Sequence, residues 1–257
     1  MNIEIKKTVR AGNSSAVVLP KAWLNKEVRV ELIKKTPKTI LQETIDIVER
    51  HIELNKIIGI YIVGSYARAE EDRGSDIDVL IISSDVDIEM IHEGIYNILI
   101  LSKELLRWKL KHDLLPIGAM LKEAKPLINS CYTNSIKIKV TKRNVGWYMD
   151  TTQKKLQLIE KILKRSDGKM DDKISYTLVL RIRTLHILQR LIEDQVYSKK
   201  DLIRLIARTS GSNNAYESYL RIKNNEKGKY STSKEEAEKL YTYLKNQLED
   251  VKRLLKY

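Results

Sequence analysis

The chain has 257 residues, 42% of them hydrophobic, enough to bury one large core or two to three small ones. A formal charge of +13 points to anionic partners such as nucleic acid or nucleotides. Cys131 is the single cysteine, which excludes an intrachain disulfide and a cysteine zinc cluster; with a polar N-terminus and no long apolar run, the expectation is a cytoplasmic protein without signal peptide or membrane contact.

Residues 1–35 read as short β-branched strands, "IEIKKTV", "SAVVLP" and "VRVELI", separated by turn signals. "KKTPK", with Pro37 inside, reads as a linker. Leu41, Ile45, Val48 and Ile52 then recur at helical spacing. "IIGIYIVGS" is a nearly continuous apolar run, the mark of a buried strand. "SDIDVLIIS" gives a second strand and "IYNILILS" a third, with a short helix or turn between them. "KELLRWKLKH" is helical and "LLPIGAMLKEAKPLINS" is a mixed connector. From about Gly146 helices dominate: "TTQKKLQLIEKILKR" and "YTLVLRIRTLHILQRLIED" are long and periodic. Ser198 with Asp201 marks a helix start, and Ser233 with Glu236 forms an S-x-x-E capping box. "SGSNNAYESY" and "NNEKGKYSTS" read as breaks.

Chemistry concentrates in the central segment. The strand "IYIVGS" runs into a turn at Gly64-Ser65, where the backbone can approach a bound group and offer N–H donors to phosphate. Asp76 and Asp78 are two residues apart on the next strand, so their side chains share a face. Two neighbouring carboxylates repel unless a cation lies between them, and magnesium is held in this way together with substrate phosphates.

The pattern Val63-Gly64-Ser65, ten residues, then Asp76-Ile77-Asp78 resembles the polymerase-beta-like nucleotidyltransferases, most closely the minimal prokaryotic and archaeal type, over roughly residues 40–130. The resemblance implies that Asp76 and Asp78 hold Mg2+ or Mn2+, that Gly64 and Ser65 grip an NTP, ATP by expectation, and that Arg68 and Arg73 add positive charge near the phosphates. It also implies a third carboxylate on the following strand to act on the attacking hydroxyl. In the favoured register that position is Asn97, which can hold a water or a ligand but cannot act as a base, and Glu93 is the nearest acid that could substitute.

Gly12-Asn13-Ser14, "AVVLP", Lys21 and "VRVEL" resemble the swapped-hairpin domains of the AbrB and MazE type. That resemblance implies a homodimer and DNA phosphate contacts from Lys6, Lys7, Arg10 and Lys21; some 35 residues cannot bury a core alone. In the helical C-terminus, Tyr216, Tyr219, Arg221 and Lys223 are candidate contacts to an acceptor, with core packing as the alternative for the tyrosines. Arg181 and His186 match the Arg-x4-His spacing of HEPN ribonucleases, but in so apolar a helix His186 reads as a core residue; His51, His92 and His112 are too scattered for a metal site.

The expected fold class is α+β: a small N-terminal β arm (1–35), a mixed-sheet nucleotidyltransferase core (39–130) and an all-helical C-terminal bundle (146–257). The expected function is magnesium-dependent nucleotidyl transfer from an NTP to a hydroxyl on RNA, a protein or a small molecule. The rival is a DNA-binding regulator of the toxin–antitoxin kind with a degenerate core.

Overall fold

The computed structural model describes residues 4–6, 8–31, 35–72, 74–165, 168, 170–226 and 232–256. The chain divides into two compact units between Thr36 and Pro37.

In the first unit β1 (Val9–Ala11) and β2 (Ser14–Ala16) form an antiparallel hairpin. Gly12 sits in its turn at φ +61°, where glycine carries no steric cost. A single 3-10 turn follows at Lys21–Trp23. The expected strand at "VRVELI" does not form over residues 28–31, and its last two residues lie outside those described. The described residues of 4–31 are all exposed or half-buried, so no apolar layer stands within this unit to hold a third strand.

The second unit starts with α1 (Pro37–Val48), whose Pro37 occupies the first helical position where a missing N–H costs nothing. Its buried stripe is Ile40, Thr44, Ile47 and Val48 rather than Leu41 and Ile45, and Ile52 lies beyond the helix end. Five strands follow: β3 (Ile57–Val63), β4 (Ile77–Ser83), β5 (Ile88–Glu93), β6 (Tyr96–Ser102) and β7 (Lys125–Ile128). Their order is β5-β6-β4-β3-β7; β4 and β6 run parallel and the other pairs antiparallel. Alternate residues of β3, β4 and β6 face two separate cores. Ile60, Ile62, Val79, Ile81, Ile98 and Ile100 pack with α1. Tyr61, Val63, Leu80, Ile82 and Leu101 pack with α3 (Lys103–His112) and α4 (Ile117–Glu123). Burial on both faces is why these three strands read as continuous apolar runs.

β5 replaces the expected short helix or turn between β4 and β6; it is an edge strand exposed along most of its length, so its sequence lacks the buried-strand signal. The expected mixed connector contains α4 and β7. Between β3 and β4 lies the single turn α2 (Gly64–Ala67), and α5 (Ser130–Ser135) follows β7.

Five helices complete the unit: α6 (Lys142–Arg165), α7 (Asp172–Ile192), α8 (Lys199–Ser210), α9 (Asn214–Lys223) and α10 (Lys234–Leu254). Ser198 caps α8, and both bonds of the Ser233–Glu236 capping box are present at α10. Gly211 ends α8 at φ +94°. The break expected over "SGSNNAYESY" is confined to its first residues, because Ala215, Tyr216, Ser218 and Tyr219 give α9 a buried face. Among the described residues no helix is long and apolar enough to cross a membrane.

Candidate active site

Pairing of β3 with β4 sets Val63 opposite Asp78, which brings the Gly64-Ser65 turn against the carboxylate pair. Gly64 has φ +71°, and a Cβ there would stand 2.2 Å from Asp78 Oδ2. Only glycine lets the turn pass so close to the acid. Asp76 is exposed just before β4, and Asp78 is half-buried on it. Burial raises the Asp78 pKa and the charge of Asp76 adds to the rise; the Asn97 hydrogen bond and the cations of Arg68 and Lys223 oppose it.

Asp76 and Asp78 fit a hard divalent cation. They are an all-oxygen donor pair, and a cation would relieve the charge that one imposes on the other. Among the described residues no group of three or more His, Cys, Asp or Glu side chains could hold a metal. A two-carboxylate site suits Mg2+ or Mn2+, which complete their shells with phosphate oxygens and water.

Asn97 lies where the register expectation puts it, beside Asp78 across the parallel β4–β6 pair. Its Nδ2 donates to Asp78 Oδ1 over 3.1 Å. Glu93 does not join this row. It is paired with Tyr96, and its carboxylate binds Arg50 at 2.6 and 2.7 Å. Successive residues of a strand point to opposite faces, so Glu93 faces away from Asn97.

A third acid does reach the turn, from α4. Glu123 Oε1 accepts the Gly64 N–H at 2.6 Å, and Oε2 accepts Arg68 Nη1 at 2.5 Å. Burial raises the Glu123 pKa against the pull of Arg68, and the charge of Asp78 raises it further. Arg68 also donates through Nε to Glu70 Oε2 at 2.9 Å, and its guanidinium lies 5.3 Å from the Tyr197 ring centroid. Glu70 in turn accepts from Ser198 Oγ and from the Lys199 and Lys200 amides, so it caps the start of α8. Arg68, expected to add positive charge near the phosphates, is bound between two carboxylates and ties the sheet to α8, while its charge still acts on Asp78. Arg73 lies outside the described residues. Ser65 is half-buried in α2.

Tyr216 and Tyr219 are buried in the helical core, where Tyr219 stacks on Tyr176 and its hydroxyl accepts from Arg183. Arg221 is paired with Asp172. Of the four expected acceptor contacts only Lys223 is exposed, at the end of α9, close enough to lower the Asp78 pKa. His186 is buried beside Tyr197, as a core histidine should be, while Arg181 bonds Thr151. In the first unit Lys6 pairs with Glu4, Arg10 bonds the Gly12 carbonyl, Lys21 is exposed, and Lys7 lies outside the described residues. The sequence reading missed Glu123 and Glu70, whose contacts come from distant elements, and His92, which meets Asn97 across the β5–β6 pair.

The sequence model of the nucleotidyltransferase domain matches residues 41–178, more than half of the chain. The chain therefore belongs to the polymerase-beta-like nucleotidyltransferase family, whose chemistry is nucleotidyl transfer. Comparison with curated proteins gave no match. Among solved structures it is similar to a nucleotidyltransferase-like protein from Exiguobacterium sibiricum 255-15, with 14% identity and TM-score 0.39, covering 84% of this chain and 78% of that one. It is also similar to the spectinomycin adenyltransferase AAD(9) from Enterococcus faecialis, solved with ATP and spectinomycin. That likeness has 13% identity and TM-score 0.44, covering 81% of this chain and 99% of that one.

Proposed function

We propose that the Gly64-Ser65 turn and the Asp76–Asp78 pair bind an NTP, ATP by preference, with Mg2+, and transfer its nucleotidyl group to a hydroxyl on RNA, a protein or a small molecule. The observation that carries this reading is the close approach of Gly64 to Asp78, which joins the phosphate side and the metal side of one site. The bound cation would neutralise charge on the α-phosphate and on the departing pyrophosphate. Asp76 and Asp78 orient it, Asn97 orients Asp78, and Lys223 supplies positive charge from the end of α9. The Glu123 carboxylate holds the Gly64 amide, so this glutamate fixes the shape of the turn.

The test is incubation with each α-labelled NTP and Mg2+ in the presence of total cell RNA, protein and small-molecule extracts. ATP is expected to label one pool, and Asp76→Ala or Asp78→Ala to lower the rate by about a hundredfold or more. Silence with every NTP and every pool contradicts the reading.

The arm supports an additional role. Ile5, Val9, Val18, Leu24, Val28 and Val30 are all exposed apolar residues of the first unit, and a second copy of the arm would cover them. Lys6, Arg10 and Lys21 on a paired arm would meet DNA phosphates.

A further inference from the structure

Four adjacent strands align Val63, Asp78, Asn97 and His92 in a single row. The last three are joined by hydrogen bonds whose direction follows from chemistry. An ionised carboxylate only accepts, so the Asn97 amide turns its Nδ2 toward Asp78 Oδ1, 3.1 Å away. Its Oδ1 then faces His92 Nδ1 at 2.7 Å. An amide oxygen also only accepts, so Nδ1 carries the hydrogen. In a neutral imidazole the other nitrogen, Nε2, is then left with the free lone pair. The row thus fixes one tautomer of an exposed histidine on the edge strand β5.

We propose that His92 Nε2 takes the proton from the acceptor hydroxyl, which makes His92 a catalytic residue of the transfer proposed above; the inference rests on that reading. Attack by a hydroxyl requires a proton acceptor, and the nearby acids are committed elsewhere. Asp76 and Asp78 would hold the proposed cation, Glu93 is bound to Arg50 on the other face of the sheet, and Glu123 is bound to Gly64 and Arg68. His92 stands two strands from Asp78, roughly 10 Å along the sheet. Asn97 occupies the row between them, so the α-phosphate and the hydroxyl would lie above its amide, between imidazole and carboxylates. In the step the O–H proton passes to Nε2, directly or through one water, and the freed pair forms the new O–P bond. The bond from the α-phosphorus to the bridging oxygen breaks, and pyrophosphate leaves with that pair. The acceptor accordingly enters over β6 and β5, on the side of Asp78 away from Gly64.

The experiment uses the full chain, α-labelled ATP, Mg2+ and the acceptor pool that the wild type labels. His92→Ala should transfer about a hundredfold more slowly, as expected for a lost general base, with unchanged ATP affinity. Imidazole added to the buffer should restore part of the rate, which a structural role would not show. Asn97→Asp placed in the His92→Ala background should also restore transfer, because it puts a carboxylate back in the row. A His92→Ala protein as fast as wild type, or one indifferent to both rescues, overturns the inference; if Asp78→Ala is still inactive, nucleotidyl transfer itself stands. A wild type that labels no pool overturns both.

Discussion

At the scale of single residues, Arg68 and its two acids hold the site in shape. Arg68, Glu70 and Glu123 have side chains only 14%, 8% and 7% exposed, so the cation and both acids depend on one another. Burial pushes Glu70 up, but Arg68 and the donors at the start of α8 outweigh it and hold its pKa down to about 2, from an ordinary value of 4.5. A depressed carboxyl stabilises the folded state above its unfolded pKa, and that contribution disappears as pH falls through the folded one. Wild-type stability should therefore drop between about pH 4.5 and 2 more steeply than that of Glu70→Gln. At pH 7 the variant should be less stable by about 3 kcal/mol, because Arg68 loses a buried partner. Denaturant titrations across that range check this; parallel curves would contradict it. The turn at Gly64 and the strand position of Asp78 were legible from local pattern, which needs no knowledge of the rest of the fold; Asp76, expected on the same strand, stands just before it. Glu123, Glu70 and His92 were not legible, because each acts through a partner on another element. His92 in particular reads as isolated in the sequence, far from the other histidines; its place beside Asn97 comes from the β5–β6 register.

At the scale of elements, legibility followed burial. β3, β4 and β6 are covered on both faces and announced themselves as apolar runs, and α6, α7 and α10 announced themselves by helical periodicity. β5 and β7 are edge strands with mostly exposed side chains, so nothing in their own composition distinguished them from loop. α9 was hidden by the serines and asparagines that start it, and its last turn delivers Lys223 toward Asp78. Strands expected in the arm were only partly found, in keeping with a segment whose apolar side chains have no layer of their own to enter.

At the scale of the whole molecule, the formal charge of +13 suits a protein that draws in phosphate-bearing partners. The arm should set its assembly: removal of residues 1–36 is expected to turn a dimer into a monomer, read by light scattering, and a truncated protein that stays dimeric would contradict the pairing. The site itself can be tested without knowing the acceptor. Calorimetric titration with a non-hydrolysable ATP analogue should show binding that requires Mg2+ and disappears in Asp78→Ala. Equal affinity in the presence of a chelator, or in the Asp78→Ala protein, would contradict the assignment of the Gly64-Ser65 turn and the Asp76–Asp78 pair as one nucleotide site.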